Sequence, residues 1–181
     1  MNKKKIIIFL SVFIAIVITI FVLVLLKVNK GVIKTEGIKV YYRIYTKDGV
    51  SKWFKNGQIA EIKQNKITGF ESKIETKYNG HILYNTTSST NDFDDNDSYD
   101  GELAGNKKDG IYGIKFNLTD ELYQNYNIYY RTYNKKDGWL DWTNNYAISG
   151  DNEVDIEKIQ IKVIKNTDSI DGKTKTPSIG F

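Results

Sequence analysis

Three stretches of the chain superimpose without a gap: NGQIAEIKQNKITGFESKI (56–74), DGELAGNKKDGIYGIKFNL (100–118) and NYAISGDNEVDIEKIQIKV (145–163). Their starts set a period of about 44 to 45 residues. Ahead of each lies a second alignable run, VYYRIY (40–45), ILYNTT (82–87) and IYYRTY (128–133). A period in this range marks units that cannot bury their apolar faces alone and must stack on one another. The units span about 38–77, 78–122 and 125–164, one domain of 38–164.

Each unit reads as β-structure. The opening run alternates with period two, KDG supplies a turn, Asn56-Gly57 and Asp100-Gly101 supply the φ > 0 positions of a tight hairpin, and the closing run (IKFNL, IQIKV) alternates again. No helical periodicity is visible in this region. The expected fold is therefore all-β, three units closing around a pseudo-threefold axis as a β-prism, with a β-trefoil as the alternative, since closure removes exposed sheet edges.

Ahead of this domain, Ile6 to Leu26 forms a run of 21 residues without a charge. As a helix it would extend about 31 Å, the thickness of a bilayer's hydrocarbon core. A cleaved signal peptide has a shorter apolar core and a small-x-small site, which LLKVNKG does not offer; a buried soluble helix would carry a polar stripe. The expected layout is a basic head (1–5), a transmembrane signal anchor (6–26), a linker (27–37), the β domain, and a disordered tail (165–181) that holds the only proline. A short head before a long soluble part stays inside, which places the β domain outside the cell.

The formal charge of +4 does not point to nucleic acid. Lys3, Lys4, Lys5, Lys27 and Lys30 belong to the membrane end, and without them 21 basic residues face 22 acidic ones. Phosphate-backbone binding needs a concentrated basic face. The absence of cysteine excludes disulfides and a lipid-modified cysteine, and with the Lys-, Asn- and Ile-rich composition it fits a bacterial surface.

These residues resemble the clostridial hydrophobic W repeat, whose pattern runs aromatic-rich strand, Gly-Trp, a second Trp, Gly-Gln, Ala-Gly, then spaced aliphatic residues. The third unit carries Gly138-Trp139, Trp142, Gly150 and Ile156/Ile159/Ile161/Val163. The first carries Gly49, Trp53, Gly57-Gln58 and Ala60, with Val50 at the first Trp position and Glu61 at the second Gly. The middle unit keeps Gly101 and Ala104-Gly105 but has lost both tryptophans. The resemblance implies an extracellular module that binds carbohydrate or protein; it supplies neither a catalytic residue nor a cofactor.

Alternation divides each opening strand into two faces. Val40/Tyr42/Ile44, Ile82/Tyr84/Thr86 and Ile128/Tyr130/Thr132 are alike in all three units, as a shared core requires. Tyr41/Arg43/Tyr45 and Tyr129/Arg131/Tyr133 recur in two units only, replaced by Leu83/Asn85/Thr87 in the middle one. Trp53 and Trp142 follow the same asymmetry, with Asp97 at the matching place. An obligatory core tryptophan lost there would leave a cavity costing about 3–5 kcal/mol, so the position belongs to the surface. Trp139 and Trp142, three apart, are expected on opposite faces of an extended segment.

The candidate ligand-binding residues are thus Trp53, Trp142, Tyr41, Arg43, Tyr45, Tyr129, Arg131 and Tyr133, with Arg43 and Arg131 the only arginines. A sugar ring stacking on indole, its hydroxyls met by arginine, is the chemistry this set suggests. The acidic stretch NDFDDNDSYDGE (91–102) lacks EF-hand spacing and reads as a solvated loop, so no metal is expected. With His81 the single histidine and no cysteine, catalytic triads and His- or Cys-rich metal sites have almost nothing to build on. The expected function is a membrane-anchored extracellular binding module for carbohydrate or cell-wall polymer, with a protein-interaction module as the alternative and a glycosidase-like enzyme as a weaker one.

Overall fold

The computed structural model describes residues 3–28, 31–63, 65–88, 93, 96–151 and 153–171, with side chains of the first helix described over 11–26. Two compact units divide the chain, Met1–Val32 and Ile33–Phe181. In the first, α1 runs from Lys3 to Val28 and contains the whole uncharged stretch. Side chains 11–26 are all exposed, and Thr19 Oγ1 donates to the Ala15 carbonyl oxygen one turn back, at 2.9 Å. Over 11–26, the described side chains of α1, and among the other described residues, no helix is long and apolar enough to cross a membrane; a span needs about 20 apolar residues, more than 11–26 includes.

The second unit is built of three antiparallel sheets. In the first, β1 (Ile38–Thr46) pairs with β2 (Gly49–Val50), β3 (Phe54–Lys55) and β5 (Gly69–Thr76). In the middle sheet, β6 (Ile82–Thr87) pairs with β7 (Ser98–Tyr99) and β9 (Gly113–Leu118). In the third, β10 (Tyr126–Asn134) pairs with β11 (Gly138–Trp139), β12 (Thr143–Asn144) and β14 (Lys158–Lys165). Three short strands cross between segments: β8 (Ala104–Gly105) joins β5, β13 (Ser149–Gly150) joins β9, and β4 (Ile59–Glu61) joins β14. Each sequence segment therefore completes the sheet of another, and the donation runs in a cycle.

The cycle closes on backbone hydrogen bonds at equivalent positions. Ile67 N–H donates to Ile156 O at 2.8 Å, Ile156 N–H to Ile111 O at 2.9 Å, and Ile111 N–H to Ile67 O at 3.0 Å. All three isoleucines are buried. The turn amides follow the same order, Gly57 donating to Ile161 O, Gly101 to Ser72 O and Tyr146 to Phe116 O.

The inward face of each opening strand is the core. Val40, Tyr42, Ile44, Ile82, Tyr84, Thr86, Ile128, Tyr130 and Thr132 are all buried, as alternation predicts. Phe70, Tyr84, Phe116 and Tyr130 stack at centroid distances of 5.1–5.7 Å. A buried tyrosine hydroxyl needs a partner, and each unit supplies one from its own hairpin turn: Tyr42 donates to Gln58 O, Tyr84 to Glu102 O and Tyr130 to Ala147 O.

Where the crossing strands meet, backbones approach closely. Gly105 lies against Gly69 and Gly150 against Gly113. Lys158 and Glu61 face each other at the corresponding third junction and form an ion pair at 2.7 Å. The absence of helical periodicity is corrected by α2 (Asp120–Asn125); six residues are too few to display a 3.6-residue period. Of the acidic stretch, residues 91, 92, 94 and 95 lie outside the described residues, as does the tail from 172. β14 ends at Lys165, and Asn166 N–H donates to Asn125 O at the end of α2.

Two outcomes follow from this packing. Burial holds the Tyr42, Tyr84 and Tyr130 phenols far above the ordinary tyrosine range. Because the folded values are raised, the unfolded chain releases these three protons first. Their contribution to stability is then complete below about pH 10 and falls above it, these three alone giving a slope approaching about 4 kcal/mol per pH unit, to which the raised Tyr126 and Tyr146 add. Urea midpoints measured from pH 8 to 11 should show this, and Tyr42→Phe should flatten the slope by one proton. At Gly150, φ is +149° and an added Cβ would lie 2.0 Å from Tyr112 O. Gly150→Ala should cost about 3 kcal/mol or more in chemical denaturation, against about 1–2 kcal/mol for Gly101→Ala, where φ of +98° strains any side chain but nothing lies within 4 Å.

Candidate functional site

The outward faces of the first and third sheets each carry a row of rings and cations. On the first, Arg43 Cζ lies 4.6 Å from the Trp53 centroid and 5.7 Å from that of Tyr45. Lys73 Nζ lies 4.9 Å from Trp53 and 5.7 Å from Tyr41, and Lys107 Nζ 4.7 Å from Tyr45. The row thus reads Lys107, Tyr45, Arg43, Trp53, Lys73, Tyr41. Arg43 donates from Nε to Glu71 Oε2 at 2.7 Å with its NH2 group equally near, and Tyr45 donates its hydroxyl to Glu71 Oε1. Burial together with this carboxylate pushes the Tyr45 phenol upward.

On the third sheet, Arg131 Cζ lies 4.5 Å from Trp139 and 4.4 Å from Trp142, and Lys162 Nζ 4.4 Å from Trp142. Tyr133 meets Trp139 edge-on at 5.7 Å, and Lys158 Nζ lies 4.9 Å from Tyr133. Tyr129 is half-buried on the same face, opposite Lys162 in register. Gln160 Oε1 accepts from Arg131 Nε at 3.0 Å. Burial lowers the pKa of Arg131, and burial together with the charge of Arg131 lowers that of Lys162.

The expectation that Trp139 and Trp142 face opposite ways is overturned, because both contact Arg131. The register explains it. Trp139 pairs with Tyr133 and Thr143 with Tyr130, so four steps on one strand match three on the other. Such a one-residue bulge moves the following side chain to the other face. Leu140 fills the inward position and is fully buried, Asp141 is the extra residue, and Trp142 falls beside Arg131. The first sheet repeats the count between Val50↔Tyr45 and Phe54↔Tyr42, which brings Trp53 beside Arg43.

All eight residues chosen from the sequence are half-buried on outward faces, gathered in two separate groups of four. Sequence reasoning missed Lys73, Glu71, Lys162 and Gln160. Their signal lay in the closing strands, whose alternate positions stand opposite Tyr41, Arg43, Tyr129 and Arg131. It also missed how the middle unit fills the tryptophan position. There Asp97 accepts from Asn85 Nδ2 at 3.0 Å and from the Tyr146 hydroxyl, and Lys115 Nζ lies over Phe93 and Tyr146 at 4.6 and 4.2 Å.

A cavity of about 130 Å³ near Thr86, Asn106 and Asp109 is small beside the several hundred Å³ usual for ligand sites. His81 is exposed and hydrogen-bonds Asp100. Among the described residues, no group of three or more His, Cys, Asp or Glu side chains could hold a metal ion. No family model, curated protein or solved structure matches the chain.

Each cation–ring contact contributes about 0.5–2 kcal/mol, and guanidinium stacks on a ring face in a way an ammonium cannot. Arg131→Lys should destabilise the domain by about 1 kcal/mol and reduce the near-ultraviolet dichroism of the indoles. A double-mutant cycle with Trp139→Ala should give a coupling of about 1 kcal/mol. Additive single effects would show that the stack contributes nothing.

Proposed function

We propose that the chain is a membrane-anchored binding module of the bacterial surface, taking carbohydrate or cell-wall polymer on the outward faces of its first and third sheets. The observation that carries this reading is the pair of rows, Trp53 with Arg43 and Lys73, and Trp142 with Arg131 and Lys162, built at matching register. Sugar rings offer apolar C–H faces to aromatic groups. A platform already ordered by its own cations loses little side-chain entropy on binding. The exposed apolar side chains elsewhere, Val50, Ile59, Tyr99 and Tyr123, stand on four different elements, which favours sugar over a protein partner needing one contiguous patch.

The three sheets, the cyclic donation of β8, β13 and β4, and the ring at Ile67, Ile111 and Ile156 support three degenerate copies of a hydrophobic W-type unit. Their arrangement is a pseudo-threefold β-prism, since a trefoil would gather its strands into one barrel. The uncharged stretch within α1 is the membrane anchor. Its backbone is satisfied internally and Thr19 returns its hydroxyl to the helix, as lipid requires. The short basic head holds the N-terminus inside and the β unit outside.

The test is a titration of the full chain in detergent micelles with cell-wall polysaccharide and a glycan panel, followed by tryptophan fluorescence. A saturable change that Trp142→Ala weakens at least tenfold, with far-ultraviolet dichroism retained, is the expected result. Silence across the panel by a folded chain would reject the sugar and direct the search to a protein partner.

A further inference from the structure

Polar groups on the two rows divide unequally into donors and acceptors. The acceptors are occupied. Glu71 receives Arg43 on one oxygen and Tyr45 on the other, Gln160 Oε1 receives Arg131, and Asp141 Oδ1 receives the Trp142 backbone N–H. What remains to offer is donors. Among the described residues, Lys73, Lys107 and Lys162 form no ion pair with a carboxylate and lie over rings instead. Lys162 reaches only the Asp171 carbonyl oxygen, at 3.5 Å.

Neutral sugar hydroxyls donate as well as accept, and pair best with mixed sets such as Asn, Asp and Gln. A face whose charges left without a carboxylate partner are all cationic calls for an anionic ligand. Charge points the same way: Lys162 and Arg131 share one indole, a like-charge arrangement that a bound anion relieves. We propose that these rows bind an anionic polysaccharide, its phosphates or carboxylates seated on Lys73 and Lys162 and its sugar rings lying along Trp53 and Trp142. This rests on the carbohydrate reading and narrows it to polymers with charged repeats. The two rows differ in cross-strand partner, a carboxylate, Glu71, facing Arg43 and an amide, Gln160, facing Arg131, while the charges of Asp141 and Asp171 act on Arg131 and Lys162.

The experiment uses the full chain in nanodiscs of zwitterionic lipid. Poly(glycerol phosphate) and polygalacturonate are the probes, with dextran and duplex DNA as controls, each titrated by tryptophan fluorescence at 50 and 300 mM NaCl. At least one anionic polymer should bind, its Kd weakening about tenfold between the two salts, as counterion release requires. The polymer that wins identifies phosphate or carboxylate as the recognised group. Lys162→Gln and Lys73→Gln should each weaken binding about fivefold. Lys135→Gln, which removes a charge already paired with Glu157, should leave it unchanged. Dextran binding as tightly and without salt dependence would overturn the inference while leaving the carbohydrate reading intact. DNA binding as tightly as either glycan would overturn it in favour of undiscriminating polyanion attraction. No polymer binding at all would remove both readings.

Discussion

Three backbone hydrogen bonds among Ile67, Ile111 and Ile156 hold the domain closed. Each isoleucine donates to one neighbour and accepts from the other, so no link belongs to a single segment. Breaking one leaves a buried donor and a buried acceptor unpaired, at about 1–3 kcal/mol for each. The crossing strands depend on this ring, since two-residue pairings such as Gly69↔Gly105 and Gly113↔Gly150 could not hold register alone. Glycine allows the backbones to meet at those two junctions. The third uses Lys158 and Glu61, an ion pair between partly exposed groups whose contribution is about 0–1 kcal/mol.

The same closure decides where the units are free to differ. Every second residue of β1, β6 and β10 is committed to a common interior, and the tyrosine at its centre is tied to its own turn. Variation is left to the outward positions. There a single column reads Glu71, Lys115 and Gln160, opposite Arg43, Asn85 and Arg131. One backbone design thus carries a neutralised arginine, an asparagine–aspartate pair bridged to Tyr146, and an arginine between two indoles.

Much of this was legible in the residues, because period-two alternation and a gap-free internal alignment are local signals. Val40/Tyr42/Ile44 and their counterparts could be placed inward, and Tyr41, Arg43 and Tyr45 outward, from spacing alone. The faces of Trp139 and Trp142 could not, since one extra residue at Asp141 reverses the parity and nothing local announces it. The exchange of β4, β8 and β13 between segments was equally hidden. Two- and three-residue strands carry no periodicity, and their partners are chosen by the closed ring. The lysines facing the tryptophans escaped notice because their stacking follows from pairing register, a property of two strands together.

The pairing of β4 with β14 joins the earliest and latest parts of the domain. A ribosome adding about 5–20 residues per second needs roughly 5–20 s between making Glu61 and making Lys165. Throughout that interval the first segment lacks the strand that completes the ring. The ring therefore cannot close before the last strand has been made, and cyclic strand exchange sets the earliest moment at which the fold can be complete.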